Sequence, residues 1–114
     1  MKKFLVLYMA PASVIAEWMQ KPEEERKAEE QKMRAEWDTW MQAHGSIIKE
    51  TAGAGKTKRV TASGVEDVKN DIMLYSIVEA ESHEAAADVF KDHPHFGIPE
   101  ASIEVMGINP LMGM

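Results

Sequence analysis

The stretch Ile72-Met73-Leu74-Tyr75-Ser76-Ile77-Val78 is largely apolar at both sets of alternating positions. Side chains of a strand point alternately to its two faces, so this pattern is typical of a strand that is covered on both sides and lies inside a sheet. The run Phe4-Leu5-Val6-Leu7-Tyr8-Met9 near the start of the chain has the same pattern. We therefore expect two central strands, at 3–9 and 71–80.

Two helices and a last strand are indicated around these central strands. Pro22 followed by Glu23, Glu24 and Glu25 predicts the start of a long helix that runs to about residue 43, with Gly45 as its stop. A shorter amphipathic turn is expected over 12–20, with Ser13 as its cap. Ser82 is predicted to cap a helix that runs to residue 91, and residues 102–108 alternate as a final strand. Residues 46–63 are interpreted as an extended, partly irregular arm.

The resulting order, βαββαβ, predicts a ferredoxin-like α+β fold, with an antiparallel sheet and both helices on one of its faces. The two central strands are apolar on both faces, so the second face of the sheet needs a cover as well. One candidate is a second copy of the chain packed sheet to sheet in a homodimer. The other candidate is the arm 51–63, folded across that face. We favour the dimer.

Composition narrows the class of protein further. The 114 residues match one domain, 1–114, in which 109–114 are expected to be a loose tail. A formal charge of −6, with only the short basic cluster of Lys56, Lys58 and Arg59, argues against a nucleic acid partner. No apolar run approaches the roughly 20 residues of a membrane span, so we expect no membrane association and a soluble protein. The absence of cysteine is compatible with the cytoplasm.

The segment Asp92-His93-Pro94-His95 is the leading candidate for a catalytic site, because it brings two imidazoles and a carboxylate to one helix-to-strand junction. Either His93 or His95 could act as a general base near neutral pH, with Asp92 orienting it. A metal site would need a third ligand, which would have to come from His44, Asp92 or Glu104, and no metal is assigned. The alternative interpretation is structural, since Pro94 ends the helix and the imidazoles then bind loop backbone.

The long helix supplies the candidate ligand-binding residues. His44 shares a helical face with Trp37 and Trp40, and the hydroxyl of Tyr8 could reach the same pocket between helix and sheet. The alternative is that the tryptophans are core residues and that His44 is a favourable charge at a helix C-terminus. The segment Gly53-Ala54-Gly55-Lys56-Thr57 is not a phosphate loop, because Glu50 stands where the first glycine is required. No complete motif identifies a cofactor.

Several segments resemble the YCII-related (DGPF) family: 1–8, 40–45, 74–80, 93–95 and 102–106. The resemblance covers nearly the whole chain and implies a dimeric α+β barrel, in which two ferredoxin-like sheets face each other. Two departures from the family pattern limit what this resemblance implies. Ala62-Ser63-Gly64-Val65 stands where the family signature is expected, and no histidine precedes His44, so the His–Asp pair proposed for shorter relatives is not transferred.

Two functions remain open at this point. The first is a small-molecule-binding protein or enzyme with a pocket between the long helix and the sheet, which would use His93, His95 and Asp92 on a small organic ligand. The second is a non-catalytic dimerisation or interaction module in which the pocket is absent or filled.

Overall fold

The computed structural model describes residues 1–111 and has a mixed α+β architecture. The regular elements are β1 Lys2–Met9, α1 Ala12–Met19, α2 Glu23–His44, β2 Ile48–Gly53, β3 Thr57–Thr61, β4 Gly64–Val68, β5 Ile72–Ala80, α3 His83–Val89 and β6 Ser102–Gly107. Single 3-10 turns occupy Gly45–Ile47 and Pro94–Gly97. Within the described residues, no helix is both long and apolar enough to cross a membrane.

The main sheet has four strands in the order β2-β5-β1-β6, and every neighbouring pair is antiparallel. This is the ferredoxin-like arrangement that the sequence predicts, with the two apolar strands β1 and β5 in the centre. Strands β3 and β4 form a separate hairpin between β2 and β5. The order follows from burial, because the strands that are apolar on both sides occupy the positions with two neighbours.

The core lies between the sheet and the helices. Phe4, Val6 and Tyr8 of β1 point to this side and are 3%, 0% and 1% exposed. Trp40 of α2 and Phe90 after α3 cover them with ring centroids 5.3 Å apart. Each buried aromatic or aliphatic side chain of this kind contributes roughly 1.5–3 kcal/mol, so this single layer of contacts supplies most of the driving force that closes the helices onto the sheet.

The opposite face of the sheet carries the other alternating set of side chains. Leu5 pairs with Ile77 on β5 and with Met106 on β6, and Leu7 pairs with Tyr75. All five are half-buried in the single chain, and no helix among residues 1–111 packs over them. The molecule measures only 20 Å along its shortest axis, which is the thickness of one sheet and one helix layer.

Two expectations from the sequence are corrected. Residues 46–63 are not an irregular arm but a 3-10 turn, β2 and β3; β3 then pairs with β4, and this hairpin does not cover the second sheet face. Val60 and Val65 at its end are 74% and 63% exposed, which shows that the hairpin is not packed on the apolar face. Ser13 does not cap α1, which begins directly after Pro11 without a side-chain cap. The expected tail is described only to residue 111 and has no regular structure there; residues 112–114 lie outside the described range.

Candidate functional site

The turn Pro94–Gly97 brings His93 and His95 to the same side of the chain. His93 has an extended backbone, with φ −67° and ψ 138°, and Pro94 fixes the first position of the turn. The backbone N–H of His95 donates a hydrogen bond of 2.9 Å to Nδ1 of His93. The two rings thus face the core together, and both residues are 2% exposed.

His93 is enclosed by aromatic rings. Its centroid lies 4.3 Å from Trp37, 4.5 Å from Trp40 and 5.2 Å from Tyr8, with edge-to-face or tilted geometry. Burial, assisted by the nearby His95, lowers the pKa of His93 from 6.5 to about 4. The ring is therefore neutral at neutral pH, and because Nδ1 accepts a hydrogen bond, the proton is on Nε2. Within the described residues, neither this Nε2 nor the buried Nε1 of Trp40 has a hydrogen-bond partner.

His95 ties the turn to the end of β1. Its Nε2 lies 2.8 Å from the carbonyl oxygen of Met9, and since a carbonyl only accepts, this nitrogen is the donor. Burial lowers the pKa of His95, while hydrogen bonds to the backbone of Met9 and Ser102 act in the opposite direction. The side chain has a role in binding two distant segments of the backbone together.

A cavity of about 740 Å³ lies beside these histidines, between α1, α2, the start of β5 and the loop that follows the Pro94–Gly97 turn. Its walls are mainly apolar: Val14, Ile15 and Trp18 from α1, Met33 and Trp37 from α2, Met73 and Leu74 from β5, and Ile98 and Pro99 from the loop. His95 is the histidine that reaches its wall. The sequence predicts a pocket between the long helix and the sheet, and this cavity has that position.

Helix α1 lies over the cavity rather than over a packed core. It contains no buried residue, and side chains of α2 hold its C-terminal end. Arg26 lies over the ring of Trp18 and contacts Sδ of Met19, and Glu29 accepts two hydrogen bonds. Glu29 accepts from Nε1 of Trp18 at 2.5 Å through Oε2 and from Nζ of Lys21 at 2.9 Å through Oε1. The apolar side chains Val14, Ile15 and Trp18 of α1 therefore face the cavity.

Comparisons with known proteins identify the fold. No family model matches the chain, and no curated protein matches it. Among solved structures, the chain is similar to 5-chloro-2-hydroxyhydroquinone dehydrochlorinase (TftG) from Burkholderia phenoliruptrix AC1100, in complex with 2,5-dihydroxybenzoquinone. The TM-score is 0.54 at 13% sequence identity, and the match covers 96% of this chain and 94% of the TftG chain. This similarity agrees with the ferredoxin-like α+β fold, and the resemblance to the YCII-related family stays a prediction.

The residues that the sequence singles out either line the cavity, lie behind it in the core, or lie outside its wall. Trp37 and His95 line the cavity. His93, Trp40 and Tyr8 are buried behind them in the core. The hydroxyl of Tyr8 hydrogen bonds to Ser76 Oγ at 2.8 Å, and burial raises its pKa.

Asp92 and His44 lie outside the cavity wall. Asp92, which is predicted to orient His93 or His95, is exposed, and the Nδ1 of His93 accepts its hydrogen bond from the backbone N–H of His95. His44 ends α2 and packs against Trp40 at a centroid distance of 5.2 Å. Within residues 1–111, no group of three or more His, Asp or Glu side chains is arranged to hold a metal ion.

The contribution of α1 to the cavity is the part that sequence reasoning missed. Trp18 and Val14 are four residues apart on one face of α1, and that spacing is visible in the sequence. It predicts an amphipathic helix, but it does not say whether the apolar face meets a core or a cavity. The same limit applies to Met33 of α2, whose place on the cavity wall is decided by tertiary packing.

The buried His93 makes stability depend on pH. A histidine whose pKa is about 4 when folded and 6.5 when unfolded binds more protons in the unfolded chain between those values. Its stabilising effect is complete above about pH 6.5 and is lost as the pH falls towards 4, with a total loss of about 3 kcal/mol. Urea unfolding at a series of pH values measures this loss.

A matched pair of variants assigns that pH dependence to His93. His44→Ala should keep the wild-type slope between pH 6.5 and 4, whereas His93→Leu should flatten it. Equal slopes in wild type and His93→Leu would show that other groups, such as the buried His95 or carboxylates, cause the loss.

Proposed function

We propose that the protein binds a small, largely apolar organic molecule in the cavity between α1, α2 and the sheet. The main support for this proposal is the cavity itself. Its volume of about 740 Å³ and its apolar, aromatic wall are those of a small-molecule site. Such sites are typically about 300–1,000 Å³ and combine apolar walls with a few polar groups. Two tryptophans on opposite helices, Trp18 and Trp37, give this wall large flat surfaces.

The similarity to TftG supports the proposal through the fold. TftG is described in complex with 2,5-dihydroxybenzoquinone, a ring compound, and the two chains align over nearly their whole lengths. A ferredoxin-like sheet with a helix layer can therefore accommodate a ligand of this size. Membership of the YCII-related family is part of the same proposal and is supported by the fold together with the segments quoted above.

Within the proposed site, His95 is the histidine next to the ligand, and His93 supports it. The hydrogen bond from His95 N–H to His93 Nδ1 fixes the backbone of the turn, and the bond from His95 Nε2 to Met9 fixes the ring. Asp92 has no place in this site because its carboxylate is exposed. The proposal is a binding function, and no reaction is assigned to these residues.

A residue that fills the cavity should abolish binding. Val14→Phe places a ring in the space that a ligand would occupy, while Ala16→Phe adds the same ring to an exposed position of the same helix. With naphthylmethanol as the probe in isothermal titration calorimetry, we expect the dissociation constant to rise at least about tenfold for Val14→Phe, equivalent to 1.4 kcal/mol. Ala16→Phe should bind like wild type. Equal affinities in all three proteins would contradict the proposed site.

We also propose that a second copy of the chain covers the open face of the sheet. Leu5, Leu7 and Ile77 lie on neighbouring strands of this face, so they form one continuous apolar surface. The hairpin of β3 and β4 does not cover it. A homodimer with a two-fold axis would pack this surface against itself, which is the simplest way to remove it from water.

A further inference from the structure

The cavity wall is rich in aromatic and thioether surface, which suits a flat ring. Trp18 from α1 and Trp37 from α2 belong to different helices, and Met33 adds a polarisable side chain to the same wall. Flat aromatic molecules bury the most apolar area against such surfaces, and sulfur makes favourable contacts with ring edges. The composition of the wall therefore favours an aromatic ligand over an aliphatic one of equal volume.

Two hydrogen-bond donors at the α1 end of this wall are already used by the protein. Trp18 Nε1 and Lys21 Nζ both donate to the carboxylate of Glu29. Hydrogen bonds from Lys21 and then from Trp18 lower the pKa of Glu29, so this carboxylate is ionised and holds both donors. A ligand anion would have to compete with Glu29 for Lys21, while the other two cations of the wall, Lys32 and Arg34, are exposed to solvent.

His95 offers no positive charge either. Its Nε2–H is committed to the carbonyl of Met9, and burial lowers the pKa of its ring, which keeps the imidazole neutral at neutral pH. The charged side chains around the cavity comprise the three cations Lys21, Lys32 and Arg34 and the four carboxylates Glu29, Glu30, Glu36 and Asp38. The net charge of these side chains is therefore slightly negative. The whole chain carries a formal charge of −6, which adds to the repulsion of an anion.

We propose that the cavity selects uncharged, flat aromatic molecules and discriminates against their carboxylates. This inference rests on the proposed binding function and adds the class of ligand. A carboxylate moved from water into this wall would lose its hydration without gaining an uncommitted donor there, because Glu29 holds Lys21 while Lys32 and Arg34 are exposed to solvent. An unpaired buried charge is strongly unfavourable. Acidic ring compounds such as dihydroxyquinones are therefore poor ligands for this chain, although TftG shares its fold.

One ring with three head groups tests the inference. Naphthylmethanol, naphthoate and naphthylmethylamine of the same ring isomer differ in charge at about pH 7.5 but hardly in shape. Affinities are measured by calorimetry on the full-length protein. We expect the alcohol to bind at least about tenfold more tightly than the carboxylate, which corresponds to 1.4 kcal/mol. The amine should lie between them, because the indole faces tolerate a cation.

A variant of the Lys21–Glu29 ion pair tests why the cavity discriminates against carboxylates. Glu29→Gln removes the carboxylate that holds Lys21, so the lysine becomes available to a ligand anion. The ratio of naphthoate to naphthylmethanol dissociation constants should then fall at least about threefold, a change of about 0.7 kcal/mol. Glu25→Gln is the control, since Glu25 is the more distant partner of Lys21, at 3.9 Å, and is not part of the cavity wall. It should leave that ratio unchanged.

The outcomes separate the two proposals. If naphthoate binds as tightly as naphthylmethanol or more tightly, the binding function stands and the ligand class is wrong. If Glu29→Gln leaves the ratio of naphthoate to naphthylmethanol dissociation constants at its wild-type value, the donors held by Glu29 do not cause the selectivity. The inference is then also overturned. If none of the three probes binds, the proposed function fails and the ligand class fails with it.

Discussion

Replacing His93 by alanine is expected to lower the free energy of unfolding by about 4 kcal/mol. The imidazole fills a space between Trp37, Trp40 and Tyr8, with ring centroids 4.3, 4.5 and 5.2 Å away, and it is 2% exposed. Alanine would leave a cavity there, and the buried N–H of His95 would lose its acceptor. The loss of the unpartnered Nε2–H returns only a small part of this free energy.

Urea unfolding at neutral pH measures the effect, with His44→Ala as the matched control. His44 is also a histidine that contacts Trp40, but it lies half-buried at the end of α2. We expect its replacement to cost less than about 1 kcal/mol. A loss of that small size for His93→Ala would show that His93 is not a structural part of the core, and a direct role in the site would have to be reconsidered.

Replacing Ile77 by glutamate is expected to abolish dimer formation. Ile77 lies in a central strand and pairs with Leu5 on the open face of the sheet. In a symmetric dimer the substitution brings two carboxylates into one apolar interface, one from each copy. Burying these charges without partners should weaken association by at least about 4 kcal/mol, or roughly a thousandfold in the dissociation constant.

Val65→Glu is the control for this prediction. Val65 has a β-branched apolar side chain like Ile77, but it lies on the exposed hairpin and is 63% exposed. Sedimentation equilibrium should show a dimer for wild type and Val65→Glu and a monomer for Ile77→Glu, with an unchanged circular dichroism spectrum as evidence of folding. A monomeric wild-type protein would overturn the proposed dimer directly, and a dimeric Ile77→Glu variant would place the interface elsewhere.

The main features of the fold were readable from local patterns. β1 and β5 are apolar at both sets of alternating positions, and only central strands of a sheet need that pattern. Pro22 and Ser82 mark the beginnings of α2 and α3 because proline and serine satisfy the special requirements of a helix N-terminus. The hairpin of β3 and β4 was harder to predict, since its strands are polar and pair mainly with each other.

The candidate site was readable only in part. The junction at His93 and His95 was visible as a cluster of chemical groups, but whether an imidazole faces a cavity or a core depends on the tertiary packing. His95 reaches the cavity wall, whereas His93 is surrounded by aromatic rings that come from α2 and β1. Asp92 is next to His93 in the chain, yet its carboxylate is exposed to solvent. Adjacency in the sequence therefore did not predict proximity in the site.

Methyl NMR of the methionine side chains tests the central claim most directly. Met33 lies on the cavity wall, while Met106 lies on the open face of the sheet, so the two methyl groups report on two different surfaces. On titration with naphthylmethanol, the Met33 signal should shift and saturate, and the Met106 signal should stay in place. A saturable shift at Met106 without one at Met33, or no saturable shift at either, would contradict a small-molecule site in this cavity.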